Sequence, residues 1–124
     1  MKILVVDDDE MTLHAISKKL IAKGYEVEPA HNSIEAIKAI SDQKFDIVIS
    51  DIIMPCISGF TLLVMLKSFY FLKAPVILIS SFTNENILLR LRSLGASDFI
   101  AKPIDFSKLI LKIENCTKNL SSSL

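Results

Sequence analysis

Three short aliphatic runs constrain this chain more than any other feature: ILVV at residues 3–6, IVIS at 47–50 and VILI at 76–79. Each is rich in β-branched residues, too short for a helix and apolar at consecutive positions. That is the pattern of strands buried on both faces. Such strands need cover above and below, and the segments between them supply it. Leu13, Ile16 and Leu20 recur at helical spacing, and Gly24 ends the pattern. Asn32 stands three residues before Glu35, a capping-box-like start for a helix carrying Ile34, Ile37 and Ile40. Further helices are predicted after Gly59, over residues 84–94 with Gly95 as the stop, and from near Asp105. YEVEPA, residues 25–30, alternates and carries Pro29, which assigns it to a sheet edge. DFIAK, residues 98–102, ahead of Pro103, makes a fifth strand. Strand and helix alternate five times, an α/β (βα)₅ order whose crossovers are long enough for parallel pairing.

The 124 residues suit one domain, and 51% hydrophobic content allows it a sizeable core. Fourteen basic and fourteen acidic residues cancel, so bulk charge points neither to nucleic acid nor to an anionic membrane. Cys56 and Cys116 lie far apart, form no metal-ligand spacing and read as reduced thiols. The N-terminal apolar run ends in acids and lacks the pattern of a signal peptide. The longest later run, residues 60–66, is far short of a membrane span. These features predict a soluble cytoplasmic domain over residues 1–118 and a frayed polar tail over 119–124.

A doubly wound parallel sheet delivers the last residue of every strand to one rim, where ligands bind. The first strand ends on Asp7 and Asp8, the third on Asp51, the fourth on Ser80, and the fifth on Lys102 followed by Pro103. Singly, each has a plainer reading. Asp7 and Asp8 suit helix caps, Asp51 a turn, Ser80 a small strand-end residue and Lys102 a solvated charge. Their agreement on one rim favours a site. Asp9 and Glu10 instead suit the start of the first helix and its dipole. Three crowded carboxylates cannot all stay ionised without positive charge among them. Lys102 offers one charge, and a hard cation such as Mg²⁺ offers two. A magnesium site suits phosphoryl transfer, for which Asp is a competent nucleophile. Ser80 and Lys102 are then placed to bind phosphoryl oxygens.

The stretches ILVVDDD, FDIVISDIIMPCISGF, PVILISS and GASDFIAKP, in this order, resemble the receiver domains of two-component response regulators over nearly the whole chain. The resemblance implies a flavodoxin-like doubly wound fold with strand order 2-1-3-4-5. It also implies that Asp51 accepts phosphate from a histidine kinase or histidine phosphotransfer protein. Asp8, Asp51 and the backbone carbonyl of Ile53 would hold Mg²⁺ directly, with Asp7 acting mainly through a bound water. Ser80 takes the family's Thr/Ser position, Lys102 its lysine and Pro103 the following proline, usually joined by a cis peptide. Phe99 takes the place of the switch aromatic that turns inward as Ser80 moves, and Pro55 and Gly59 shape the loop after Asp51. The implied output is a protein partner bound by the fourth helix, fifth strand and fifth helix. The protein would catalyse its own phosphorylation and dephosphorylation, yet be primarily a switch. It would be a monomer or weak homodimer, without direct contact to nucleic acid or membrane.

Three departures stand out. Ser58 replaces the Asp common before the third helix, which should tune helix entry. Ser81 follows Ser80 where Ala or Gly is usual. Val64 and Met65 replace polar residues and, with the aromatic turn at residues 69–72, form a candidate interaction patch. Ile53 and Phe82 flank the site at positions that, in this family, influence water access, and they predict slow self-dephosphorylation. Three rival readings remain. A haloacid-dehalogenase-type phosphatase is opposed by Met11 and by chain length. A pseudo-receiver module working without phosphorylation typically lacks site residues that are all present here. A flavodoxin-like electron carrier is opposed by the acids after the first strand, which would repel a flavin phosphate. With no output domain in the sequence, the chain is either a stand-alone receiver or part of a longer regulator.

Overall fold

A computed structural model describes residues 1–81 and 84–122, with side chains described to residue 117. Strands and helices alternate as β1 (Lys2–Val6), α1 (Glu10–Ala22), β2 (Glu26–Ala30), α2 (Ser33–Asp42), β3 (Ile47–Asp51), α3 (Gly59–Ser68), β4 (Val76–Ser80), α4 (Glu85–Ser93), β5 (Asp98–Ala101) and α5 (Phe106–Ser122). Every pairing is parallel, in the order β2-β1-β3-β4-β5. The doubly wound sheet and strand order expected from the resemblance are therefore present. Phe82 lies outside the described residues, as do the side chains of the expected tail, although the α5 backbone is traced to Ser122.

The three aliphatic runs are the interior strands. Their side chains alternate between two cores. Ile3, Val5, Ile47, Ile49, Ile77 and Ile79 pack with Leu13, Ile16 and Leu20 of α1 and Leu109 and Ile113 of α5. Leu4, Val6, Val48 and Leu78 pack on the other face with Ala36 of α2, Leu62, Leu63 and Leu66 of α3, and Leu91 of α4. Two helices therefore cover one face and three the other, which is why the strands show no polar alternation. YEVEPA forms edge strand β2, with Pro29 opposite Val5.

Helix caps follow the sequence closely. Asp9 accepts from the Met11 amide, Asn32 from the Glu35 amide and Asn84 from the amides of Asn86 and Ile87. Ser58, standing where the family usually has Asp, still caps α3 through a 3.2 Å bond from the Thr61 amide. Past α3, the exposed apolar surface centres on Phe69 and Phe71, whereas Val64 and Met65 are half-buried. Lys67 turns inward and donates to the carbonyls of Leu72 (3.1 Å) and Ala74 (3.0 Å), and burial pushes its ammonium below the usual lysine pKa. Its stem lies under Gly95, where an added Cβ would come within 2.8 Å of the Lys67 Cγ.

Gly59 opens α3 against the end of β3. A Cβ there would lie 2.1 Å from the Asp51 carbonyl oxygen and 2.7 Å from the Ile52 Cα, both backbone atoms. Neither can yield without moving the strand that carries Asp51. Gly59→Ala should therefore destabilise the protein by about 3 kcal/mol or more, measured as a lowered urea midpoint. An unchanged midpoint would show that the strand end is softer than this contact implies.

Candidate functional site

Parallel pairing brings the predicted residues to the rim from different strands. The Asp7 amide bonds the Ala30 carbonyl of β2 at 3.1 Å, which holds Asp7 in line with β1. Its side chain is fully buried, while Asp8 is exposed. Asp51 closes β3 and is buried, with its register partner Ile79 on β4. Ser80, also buried, stands one residue further along β4 on the same rim. Lys102 follows β5, its amide bonded to the Ser80 carbonyl at 3.0 Å, and a cis peptide joins it to Pro103.

Ligand oxygens of Asp7, Asp8 and Asp51 lie within 4.8 Å of one another. Two carboxylates at that spacing repel by about 3–4 kcal/mol at an effective dielectric of about 20. One ammonium answers them. Lys102 Nζ is 3.0 Å from Asp51 Oδ2 and 3.8 Å from Asp7 Oδ2. Burial lowers the Lys102 pKa, but the Asp51 hydrogen bond and the charges of Asp51, Asp7 and Asp9 outweigh it and leave the pKa raised. The Asp7 carboxyl is pushed up by burial, which exceeds the opposing bond from the Asp9 amide; Asp51 and Asp8 add to the rise and Lys102 opposes it. Asp7 Oδ1 accepts from the Asp9 amide at 2.9 Å, but buried Oδ2 has no hydrogen bond. An oxygen-only cluster carrying three negative charges against one positive, with an unsatisfied buried oxygen, fits a hard divalent cation.

The loop after Asp51 is tightly closed. The Ile53 amide approaches Asp51 Oδ1 at 3.4 Å, a long bond, and the Ile53 side chain is exposed. The Ile57 amide returns to the Pro55 carbonyl at 2.9 Å around Cys56, whose φ is +68°. The Gly59 amide bonds the Ile52 carbonyl at 2.7 Å and closes the neck. Phe99 lies further along the sheet, half-buried against the helix α4 core, with the Arg92 guanidinium 5.2 Å from its ring centre. One partner of this loop was not foreseen: buried Ser33 of α2 donates to the Ile57 carbonyl at 2.8 Å. The sequence holds no signal for it, since a serine beside a helix cap ordinarily faces water.

The fold and rim define a doubly wound α/β domain with an acid triplet and a lysine at the carboxyl ends of its strands. The family model described as response regulator receiver domain matches residues 3–114, and the chain belongs to this family. A probable transcriptional regulator ycf29 of Porphyra purpurea is 34% identical over 114 residues, 91% of this chain and 54% of that protein. The response regulator PleD of Caulobacter vibrioides is 34% identical over 118 residues, 94% of this chain and 26% of that protein. The chain thus spans about half, or less, of the length of these relatives. Among solved structures, the receiver domain of the Francisella response regulator 1452 superposes with a TM-score of 0.91 at 27% identity, covering 96% of this chain and 98% of that one. The Vibrio cholerae chemotaxis protein CheY4 gives 0.87 at 28% identity, covering 93% and 97%. No helix among the described residues is long and apolar enough to cross a membrane.

Asp7 gives the first test of these electrostatics. Its raised pKa means that its stabilising contribution is complete below the ordinary carboxylate pKa of 3.8 and is lost as pH rises through the higher folded value. Asp7→Asn should therefore stabilise the metal-free protein at neutral pH by about 1 kcal/mol, and the gain should vanish toward pH 3 to 4. Denaturant titrations at several pH values check this; a variant less stable at neutral pH would contradict it.

Proposed function

We propose that Asp51 is the phosphoacceptor of this receiver domain, taking a phosphoryl group from the phosphohistidine of a sensor kinase or phosphotransfer protein. The carrying observation is the Asp51 carboxylate at a buried strand end, flanked by two further carboxylates and bonded by Lys102. An Asp51 oxygen forms a bond to phosphorus while the P–N bond breaks. Its electron pair returns to the donor imidazole, which recovers a proton from solvent. Lys102 leaves its ion pair with Asp51 Oδ2 to contact the incoming phosphoryl oxygens, and Ser80 supplies a hydroxyl on the same rim. Asp8, Asp51 and the Ile53 carbonyl would hold Mg²⁺, with Asp7 acting mainly through a bound water. The chemistry that Mg²⁺ would supply there is neutralisation of charge developing on the phosphoryl oxygens.

Phosphorylation places nearly two negative charges where one stood. The states of Ser80 and Lys102 that contact those charges are favoured, which shifts an existing equilibrium rather than creating a new state. Phe99 and the face formed by α4, β5 and α5 are the proposed readout. Leu88 of α4 and Phe99 of β5 line the groove between these elements with Glu85 and Lys112, and Asp98 joins the elements through Lys112 (3.0 Å) and Arg92 (3.9 Å). This apolar, ion-paired face suits a downstream protein partner.

Acetyl phosphate with Mg²⁺ should label the wild type, and Asp51→Asn should abolish the label. Lys102→Met should slow labelling by about 10²-fold, the scale of losing one electrostatic donor at a reacting group. Beryllofluoride should shift NMR resonances of residues 98–101 and of α4 in the wild type only. Label that survives Asp51→Asn would move the acceptor elsewhere.

A further inference from the structure

The loop between Asp51 and α3 carries a conformational burden. Cys56 sits in the left-handed region at φ +68°, unfavourable by about 1 kcal/mol for a residue with a Cβ. The loop is pinched at its neck by the bond from the Gly59 amide to the Ile52 carbonyl. Beyond the neck, the turn from Ile57 to Pro55 closes the loop only on itself. Neither bond ties the loop to another element; apolar packing does part of that work, with Met54 buried in the core and Ile57 packed against it.

Ser33 adds a directional polar tie. It is the first residue of α2, 1% exposed, and its Oγ donates to the Ile57 carbonyl at 2.8 Å across 24 residues of sequence. The helix that carries it is itself fixed. Asn32 Oδ1 accepts from the Glu35 amide at 2.8 Å, the Glu35 carboxylate accepts from the His31 amide at 3.3 Å, and Ala36 is buried in the core. The hydroxyl therefore ties a strained turn to a capped helix start.

We propose that Ser33 is a positioning residue: its hydroxyl fixes the loop that carries Ile53 beside Asp51, and so sets the affinity of the acid cluster for Mg²⁺. This rests on the reading of Asp7, Asp8, Asp51 and Ile53 as a cation site. Ser33 touches neither the carboxylates nor the phosphoryl group. Its effect passes through Ile57, and loss of the bond lets the loop sample arrangements that must be reordered when the ion binds.

Two measurements test this on the whole chain. In metal-free buffer, amide hydrogen exchange at Ile53, Met54, Cys56 and Ile57 should be faster in Ser33→Ala, with exchange in β1, β3 and β4 unchanged. Followed by NMR, Mg²⁺ should bind Ser33→Ala about fivefold more weakly, the scale of one hydrogen bond. Ser33→Thr, which keeps the hydroxyl, should recover affinity, and Ser33→Gly should repeat the loss without the Cβ. Unchanged loop exchange in both Ala and Gly variants would overturn the tie, and faster exchange with unchanged Mg²⁺ affinity would overturn the positioning role. A wild type that binds no Mg²⁺ would remove the cation-site reading and this inference with it.

Discussion

The mutual repulsion of Asp7, Asp8 and Asp51 is the constraint on which the rest of this structure turns. Those carboxylates sit within 4.8 Å of one another because the adjacent parallel strands β1 and β3 end on the same rim, and Lys102 balances only part of their charge. Lys102 and the Asp9 amide offset that repulsion only in part. The cluster is held by the two apolar cores, whose burial of β1, β3 and β4 makes any retreat of a strand end costly. Core packing thus keeps the site in a state that a cation can relax.

The division of labour among the acids at the chain start follows from strand geometry. Asp7 continues β1 and is buried, Asp8 turns out, and Asp9 caps α1 while donating its amide to Asp7. A helix cap and a buried carboxylate are therefore adjacent links of one hydrogen-bonded turn. The fixed dipole of α1 begins at the site, so the helix start and the rim are electrostatically coupled.

Much of this was legible in the residues. Continuous aliphatic runs can be interior strands only in a sheet covered on both sides, and Pro29 marks an edge because proline cannot donate to a ladder. Asp7, Asp51, Ser80 and Lys102 were found because strand ends share a rim, which depends on pairing direction rather than on side-chain detail. Long-range choices of individual side chains were not legible. Ser33 reaches Ile57, and Lys67 folds back under Gly95, because the tertiary fold places carbonyls or glycine space beside them. A serine beside a cap or a lysine in the last turn of a helix ordinarily reads as solvated. Likewise, the family resemblance put Val64 and Met65 on the surface, and neighbouring elements half-cover them.

Lys67 and Gly95 together have a mechanical meaning. The Lys67 stem lies against the residue that follows the α4 C-cap, while its ammonium is bound to two carbonyls of the loop leading into β4. Helix α4 is thereby fastened at its far end to the scaffold. A rod clamped at one end behaves as a cantilever: a sideways push produces least travel at the clamp and most at the tip. The tip here is Asn84, so in the proposed switch a displacement of α4 would take the form of a tilt rather than a slide.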